Sequence, residues 1–289
     1  MLRQALSSHH QVNIKGISMS KIWFITGASR GFGRRFVEAA LQRGDKVAAT
    51  ARTTDSLADL VAAHGSAILP LSLNVTDKSA VTDAVSQAHA HFGRLDVVVN
   101  NAGYGVFGMI EEMSEQEVRT QFETNVLGTL WVTQAALPYL RAQGSGHIIM
   151  LSSLLGLASF PTTGIYSASK ASVEAFADAL SQEVAAFGIK VTIVEPGPFS
   201  TDFSASAVYA SPLESYSGVH DAFNASFSAM PIADPDIVGP ALLKVVDADD
   251  PPLRIFFGPL ASQVIPYVYA ERLKTWEAWG DVGVGTQHR

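Results

Sequence analysis

The chain contains no cysteine, which excludes disulfides, thiolate catalysis and cysteine-ligated metals. Charged residues make up only 16%, with no run of basic side chains, and the formal net charge is −7. A nucleic-acid surface is therefore not expected, nor adhesion to anionic membranes. The eight histidines are scattered without HExxH spacing, so no metal site is expected. Long apolar runs are missing too: "LRIFFGPLASQVIPYVYA" is broken by Arg254, Gly258, Pro259 and Pro266 and does not read as a membrane span. Residues 1–18 hold no acidic residue and no continuous apolar stretch of the length a secretory signal needs. They read as a disordered extension ahead of Met19, with an organelle transit peptide as the alternative. The expected location is the cytoplasm.

Hydrophobic residues make up 47% of 289, enough for a deep core in one large domain over 19–289. Short apolar runs recur along it: "KIWFIT", "KVAATA", "AILPLSLNV", "LDVVVN", "GHIIMLSS", "KVTIVEP" and "LRIFF". Continuous rather than alternating, they read as strands buried on both faces of a parallel sheet. Helical stretches lie between, such as "RRFVEAALQRG", with Phe36, Val37, Ala40 and Leu41 at helical spacing and Gly44 as a stop. Strand alternating with helix predicts a single-domain α/β fold of the Rossmann type, a doubly wound parallel sheet with helices on both faces. Ligands of such sheets bind at the carboxyl ends of the strands.

"TGASRGFG", Thr26 to Gly33, stands between the first strand and the first helix. A glycine turn there lets backbone N–H groups and the positive end of the helix dipole approach a pyrophosphate. The spacing is Gly-x-x-x-Gly-x-Gly. "NNAG" ends the fourth strand, "LSS" the fifth, "YSASK" opens a helix and "EPGPFST" follows the sixth strand. With these motifs in this order, the chain resembles the short-chain dehydrogenase/reductase family from about Lys21 to Asp202, and less specifically to near Trp279. Within that family it looks most like the group of steroid and retinol dehydrogenases, on "ATAR" and "VEPGPFSTDF".

The resemblance implies an oxidoreductase with Asn125, Ser153, Tyr166 and Lys170 as its catalytic set. Tyr166 and Lys170 are four residues apart, hence on one helix face. A nearby ammonium and an oxidised nicotinamide favour phenolate, so Tyr166 is expected to have a lowered pKa and to exchange a proton with an alcohol or carbonyl oxygen. Ser153 would hydrogen-bond that oxygen. Adjacent strand side chains point oppositely, so only one of Ser152 and Ser153 aims at the site; Ser153 matches the family's spacing. Asn125 would interrupt helix hydrogen bonding and hold a water linking Lys170 to solvent.

Cofactor contacts are carried over in the same way. Gly27, Ser29, Arg30, Gly31, Phe32 and Gly33 belong to the phosphate turn. Asn101, Ala102 and Gly103 lie in the "NNAG" turn, and Pro196, Gly197 and Thr201 flank the nicotinamide. Tyr166 and Lys170 meet its ribose. Asn74, where the family more often has aspartate, and Val75 would take the adenine. The second strand ends in Ala51, where an acid would hydrogen-bond the ribose 2′-OH, and Arg52 follows. Arg30 and Arg52 can grip a 2′-phosphate through forked hydrogen bonds, so the expected cofactor is NADP(H).

A lid over 198–232 carries Phe203, Tyr209, Tyr216, Phe223, Phe227 and Met230. These aromatics either line an apolar pocket or pack the lid onto the core. "GYGVFGM" and "LLGLASFP" add Phe107, Leu154 and Phe160. The expected substrate is a hydrophobic ketone, aldehyde or secondary alcohol. The alternatives are an NADP(H)-sensing protein without turnover and an NAD-dependent alcohol dehydrogenase. The family resemblance implies a homodimer or homotetramer formed through the helices that carry Asn125 and Tyr166.

Overall fold

The computed structural model describes residues 20–284; the expectations for residues 1–18 lie outside them. β1 (Ile22–Ile25) leads into α1 (Gly31–Gln42), then β2 (Lys46–Ala51), α2 (Ala58–His64), β3 (Ile68–Ser72), α3 (Lys78–Phe92) and β4 (Val97–Asn100). A two-residue strand β5 (Val106–Phe107) precedes α4 (Glu115–Phe122). A π-helical turn over Glu123–Leu127 joins α4 to α5 (Gly128–Gln143). β6 (Gly146–Leu151), the single turn α6 (Leu154–Leu157), α7 (Gly164–Val184) and β7 (Ile189–Pro196) follow. The chain continues through α8 (Phe203–Ser206), β8 (Val208–Tyr209), α9 (Ser217–Ser228), α10 (Val238–Asp247), β9 (Arg254–Phe257), α11 (Pro259–Ala278) and α12 (Gly280–Val284).

Seven strands form one parallel sheet in the order β3-β2-β1-β4-β6-β7-β9. They are the seven apolar runs of the sequence, and their continuity has the expected cause: each face of the sheet is covered. Phe24, Val98, Ile148 and Ile193 pack under α3, α5 and α7, whereas Trp23, Ile25, Val99 and Val194 pack under α1 and α10. Burying each such side chain stabilises the fold by about 1.5–3 kcal/mol. The strand order reverses direction between β1 and β4, which opens a crevice at the carboxyl ends of these strands. β5 and β8, a separate parallel pair unforeseen from the sequence, tie the 198–232 segment to that end. No helix among the described residues is long and apolar enough to cross a membrane.

Candidate active site

The crevice is a cavity of about 1130 Å³ that runs from the first glycine turn to the lid. At one end Gly27, Ser29, Arg30, Gly31 and Phe32 line it. α1 begins there with no side-chain cap and no acid in its first turn, so its leading N–H groups are open to an anion. Gly31 has φ +56° and no atom within 4 Å of where a Cβ would stand, so the turn presents bare backbone to the cavity. Gly33 lies behind the wall rather than on it. A Cβ on Gly33 would fall inside the Gly27 carbonyl and 2.5 Å from Asn101 Nδ2. Its glycine is a packing requirement of the turn.

The turn is held from below by Thr26, whose hydroxyl oxygen accepts from Asn101 N and Ala102 N, both at 3.0 Å. Asn101 Nδ2 returns donors to the carbonyls of Thr26 at 2.8 Å and Gly27 at 3.1 Å. "NNAG" thus laces β4 to β1. Arg52 and Asn74 are exposed on the far rim, with Val75 buried beside them. Asn74 Oδ1 already accepts from Thr76 N at 3.3 Å, and its second lone pair remains available.

Among the described residues, Arg34, Arg35, Arg43, Arg94, Arg119 and Arg254 each pair with a carboxylate. Arg30 and Arg52, both on the cavity wall, have no carboxylate partner among them. Ala51, buried between them and the core, leaves no acid to oppose a phosphate. An uncapped helix start, bare backbone and two uncommitted guanidiniums fit a phosphorylated dinucleotide.

In the middle of the cavity stand Ser153, Tyr166 and Lys170, with Gly103, Pro196, Gly197 and Thr201 around them. Tyr166 is 6% exposed, and burial pushes its phenol well above the ordinary tyrosine value, while the Ser153 hydroxyl pulls the other way. The lowering expected of Tyr166 requires the oxidised nicotinamide as well as the Lys170 ammonium. That ammonium lies 5.9 Å from the Tyr166 ring centroid and is committed to the Leu151 carbonyl oxygen at 2.6 Å. Burial brings Lys170 down to about 8, and Glu174 one turn further along α7 opposes that fall. Ser153 Oγ accepts from Leu155 N at 3.1 Å at the start of α6, whereas Ser152 Oγ is buried on the side of Glu174.

Asn125 lies in the π-helical turn and is 1% exposed, behind the cavity wall. Its Oδ1 accepts from Tyr104 N at 3.1 Å, and its Nδ2 donates to Tyr104 O at 2.9 Å and Ser169 Oγ at 3.2 Å. Gly103 separates it from Lys170: a Cβ there would be 3.0 Å from Asn125 Oδ1 and 3.7 Å from Lys170 Nζ. Gln121, which the sequence did not single out, makes a parallel set. Its Oε1 accepts from Val106 N at 2.7 Å and its Nε2 donates to Tyr104 O at 2.8 Å. Its only sequence signal was an amide one helical turn before Asn125.

The remaining wall is apolar. Phe107 and Phe203 stand 5.5 and 5.8 Å from the Tyr166 ring between centroids, and Tyr209 joins the cluster through Phe107 at 5.8 Å. Leu154, Phe160, Phe223, Phe227 and Met230 complete it. Tyr216, one of the lid aromatics for which lining and packing were both open, does neither. It turns outward and donates to Glu111 Oε2 at 2.6 Å, because a phenol near a carboxylate gains more from that bond than from an apolar wall. The lid is latched beside it: Glu112 accepts from Met109 N at 2.7 Å, Leu213 N at 2.9 Å and His220 Nε2 at 2.8 Å. Burial pushes the Glu112 carboxyl up, but these donors outweigh it and hold it below the usual carboxylate range.

Comparison with known proteins gives the same picture. The family model described as short chain dehydrogenase matches residues 21–210. An oxidoreductase of Botryotinia fuckeliana, BOA17, is 42% identical over 85% of this chain and 91% of its own length. The 3-ketodihydrosphingosine reductase of Bacteroides thetaiotaomicron is 34% identical over 89% of this chain and 93% of its own. The crystal structure of a short-chain dehydrogenase from Streptomyces avermitilis superposes with a TM-score of 0.88 at 38% identity, covering 93% of this chain and 99% of that one. Among less similar solved structures of this fold, some hold NADP and one holds NAD.

Proposed function

The chain belongs to the short-chain dehydrogenase family of oxidoreductases, and on that premise we propose that it reduces an apolar ketone or aldehyde with NADPH. The observation that carries the cofactor reading is the pair of unpartnered guanidiniums, Arg30 and Arg52, on a rim that lacks an acid. The dinucleotide, when bound, supplies the hydride. Every other requirement falls to the chain's own side chains.

Ser153 donates a hydrogen bond to the substrate oxygen and steadies the charge that develops on it. Tyr166 Oη gives that oxygen its proton. A phenol is protonated at neutral pH, the state a general acid needs, and burial acts in the same sense. Lys170 Nζ would hold the ribose of the dinucleotide and, as an ammonium, would return a proton to Tyr166. Asn125, fastened to the Tyr104 backbone, sets the shape of the wall behind Lys170 and carries the water path to solvent. The apolar wall of Phe107, Phe203, Phe223 and Phe227 selects an uncharged, bulky substrate. The similar protein from Bacteroides, named as the reductase of a keto compound, supports carbonyl reduction. Self-association through α5 and α7 is part of the same reading and is measured by light scattering.

The test is NADPH consumption by the purified chain against apolar ketones, aldehydes, steroids and long-chain keto compounds, with Tyr166→Phe beside it. Turnover that falls by about 10²–10⁴ in the variant, with NADPH binding kept, is expected. Equal rates in both proteins would remove Tyr166 from the proton transfer. Tight NADPH binding without turnover across the panel would favour a sensor.

A further inference from the structure

Tyr166, Lys170, Glu174 and Asp178 follow at four-residue intervals along α7 and share one stripe of that helix. Tyr166 and Lys170 line the cavity; Glu174 and Asp178 meet Arg254 of β9. Glu195 on β7 is fully buried and Glu174 is 6% exposed. Arg254 Nε lies 3.1 Å from Glu174 Oε2 and 3.4 Å from Glu195 Oε1, and its Nη2 reaches Asp178 Oδ2 at 2.7 Å. Three carboxyl groups thus converge on one guanidinium.

The two glutamates lie within hydrogen-bonding reach of each other. The one neutral donor at the pair is the buried Ser152 hydroxyl, which faces Glu174; Glu174 Oε1 and both carboxyl oxygens of Glu195 otherwise have no close donor among the described residues. Buried acceptors that face each other without a donor are costly, and two buried like charges more so. One proton between them removes both penalties. Arg254 decides which group carries it: Glu174 and Asp178 take its close hydrogen bonds, and Glu195 has only its edge. The site is also closed from above. Gly156 of α6 covers it so tightly that a Cβ would stand 2.6 Å from Ser152 Oγ and 3.2 Å from Glu174 Cγ.

We propose that Glu174 and Glu195 share one proton, carried on Glu195, and that the charge left on Glu174 makes it a positioning residue that keeps Lys170 ionised. The role rests on the reading of Lys170 as part of the proton path. The charged groups that face the pair are Lys170 and Asp178 on α7 and Arg254 on β9. Asp178 stays ionised because Arg254 holds it below the ordinary carboxylate range. Burial and the Glu174 charge push Glu195 up to about 8. Burial pushes Glu174 up as well, but its bonds from Ser152 and Arg254 favour its charged form over that of Glu195, and that charge raises the proton affinity of Lys170 against the burial that lowers it.

Two measurements test the proposal, and the first is independent of catalysis. Wild-type protein near pH 7 should show the infrared carbonyl band of a protonated carboxylic acid, absent from Glu195→Gln. An acid that binds its proton more tightly when folded contributes stability that is full below its unfolded value and is lost as pH rises towards about 8. The melting temperature of Glu195→Gln should therefore gain on wild type by several degrees between pH 6 and pH 9. No band and a constant gap would overturn the shared proton, whether or not the chain proves to be a reductase. In the second, Glu174→Gln should move the alkaline limb of the kcat profile about one pH unit lower, with KM unchanged. If that limb stays in place while the infrared band is present, Glu174 does not act through Lys170. Should Glu174→Gln fail to fold, Glu174→Asp, which keeps the charge and withdraws it, should give a smaller shift in the same direction; an unmoved limb there would equally overturn the coupling.

Discussion

Lys170 Nζ donates to the Leu151 carbonyl oxygen at 2.6 Å, so the ammonium of α7 is tied to the last residue of β6, two positions before Ser153. The bond joins the helix that carries Tyr166 to the strand that leads into the substrate-facing serine. It also orients an ammonium that burial brings to about 8.

A pH dependence follows for cofactor binding. Below about pH 8 Lys170 keeps its positive charge, and above it the charge is lost. NADPH affinity, followed by the fluorescence of the bound nucleotide, should fall as pH rises through that value. Lys170→Met should bind more weakly at pH 7 and show no such step. A step of equal size in the variant would assign the titration to another group.

Nucleotide choice should reside in two side chains. Arg52→Ala and Arg30→Ala each remove a guanidinium available to a 2′-phosphate, a charge-assisted contact of about 1.5–3 kcal/mol. NADPH should weaken by roughly 10-fold or more in each variant, since about 1.4 kcal/mol is one decade, while NADH changes little. Equal losses for both nucleotides, measured by titration, would show that these residues do not read the phosphate.

Gly33→Ala should damage the fold and the cleft together. The added methyl meets the Gly27 carbonyl and Asn101 Nδ2 rather than open space. Overpacking of this kind costs about 1–3 kcal/mol, which calorimetry should register as a fall in Tm of about 2–4 °C per kcal/mol. Dinucleotide affinity should drop too, because the displaced carbonyl belongs to the turn. An unchanged Tm would mean that the turn yields at no cost.

The lid should loosen when its latch is cut. His220→Leu removes the donor that α9 offers to Glu112, leaving a buried carboxylate with its backbone donors alone. KM for the apolar substrate should rise several-fold with NADPH affinity unchanged, and proteolysis between 204 and 232 should quicken. Unaltered proteolysis would show that β5, β8 and the packing of Phe203 suffice to hold the segment.

Much of this site was visible in the sequence because its parts are local. A glycine turn after an apolar run, a four-residue spacing from Tyr166 to Lys170 and the order of the strand ends need no knowledge of distant segments. Alternation said that only one of Ser152 and Ser153 faces the site, and the spacing to Tyr166 chose Ser153. Gln121 and Thr26 escaped because each acts on backbone far along the chain: Gln121 on residues 104 and 106, Thr26 on residues 101 and 102. The outward turn of Tyr216 could not be read from the sequence because its partner, Glu111, lies more than a hundred residues earlier.

The sequence by itself determined the strand-helix alternation, the missing acid at Ala51 with Arg52 beside it, and the tyrosine-lysine stripe, since each follows from residue type and spacing along one element. Tertiary structure alone decided how the ionisable groups behave. Burial raises the Tyr166 phenol and lowers Lys170, and the meeting of α7, β7 and β9 sets Glu174 and Glu195 against a single Arg254. Proton affinity depends on the dielectric and the charges within a few ångströms. Those neighbours are assembled from segments as far apart as residues 151, 174, 195 and 254, and only folding brings them together.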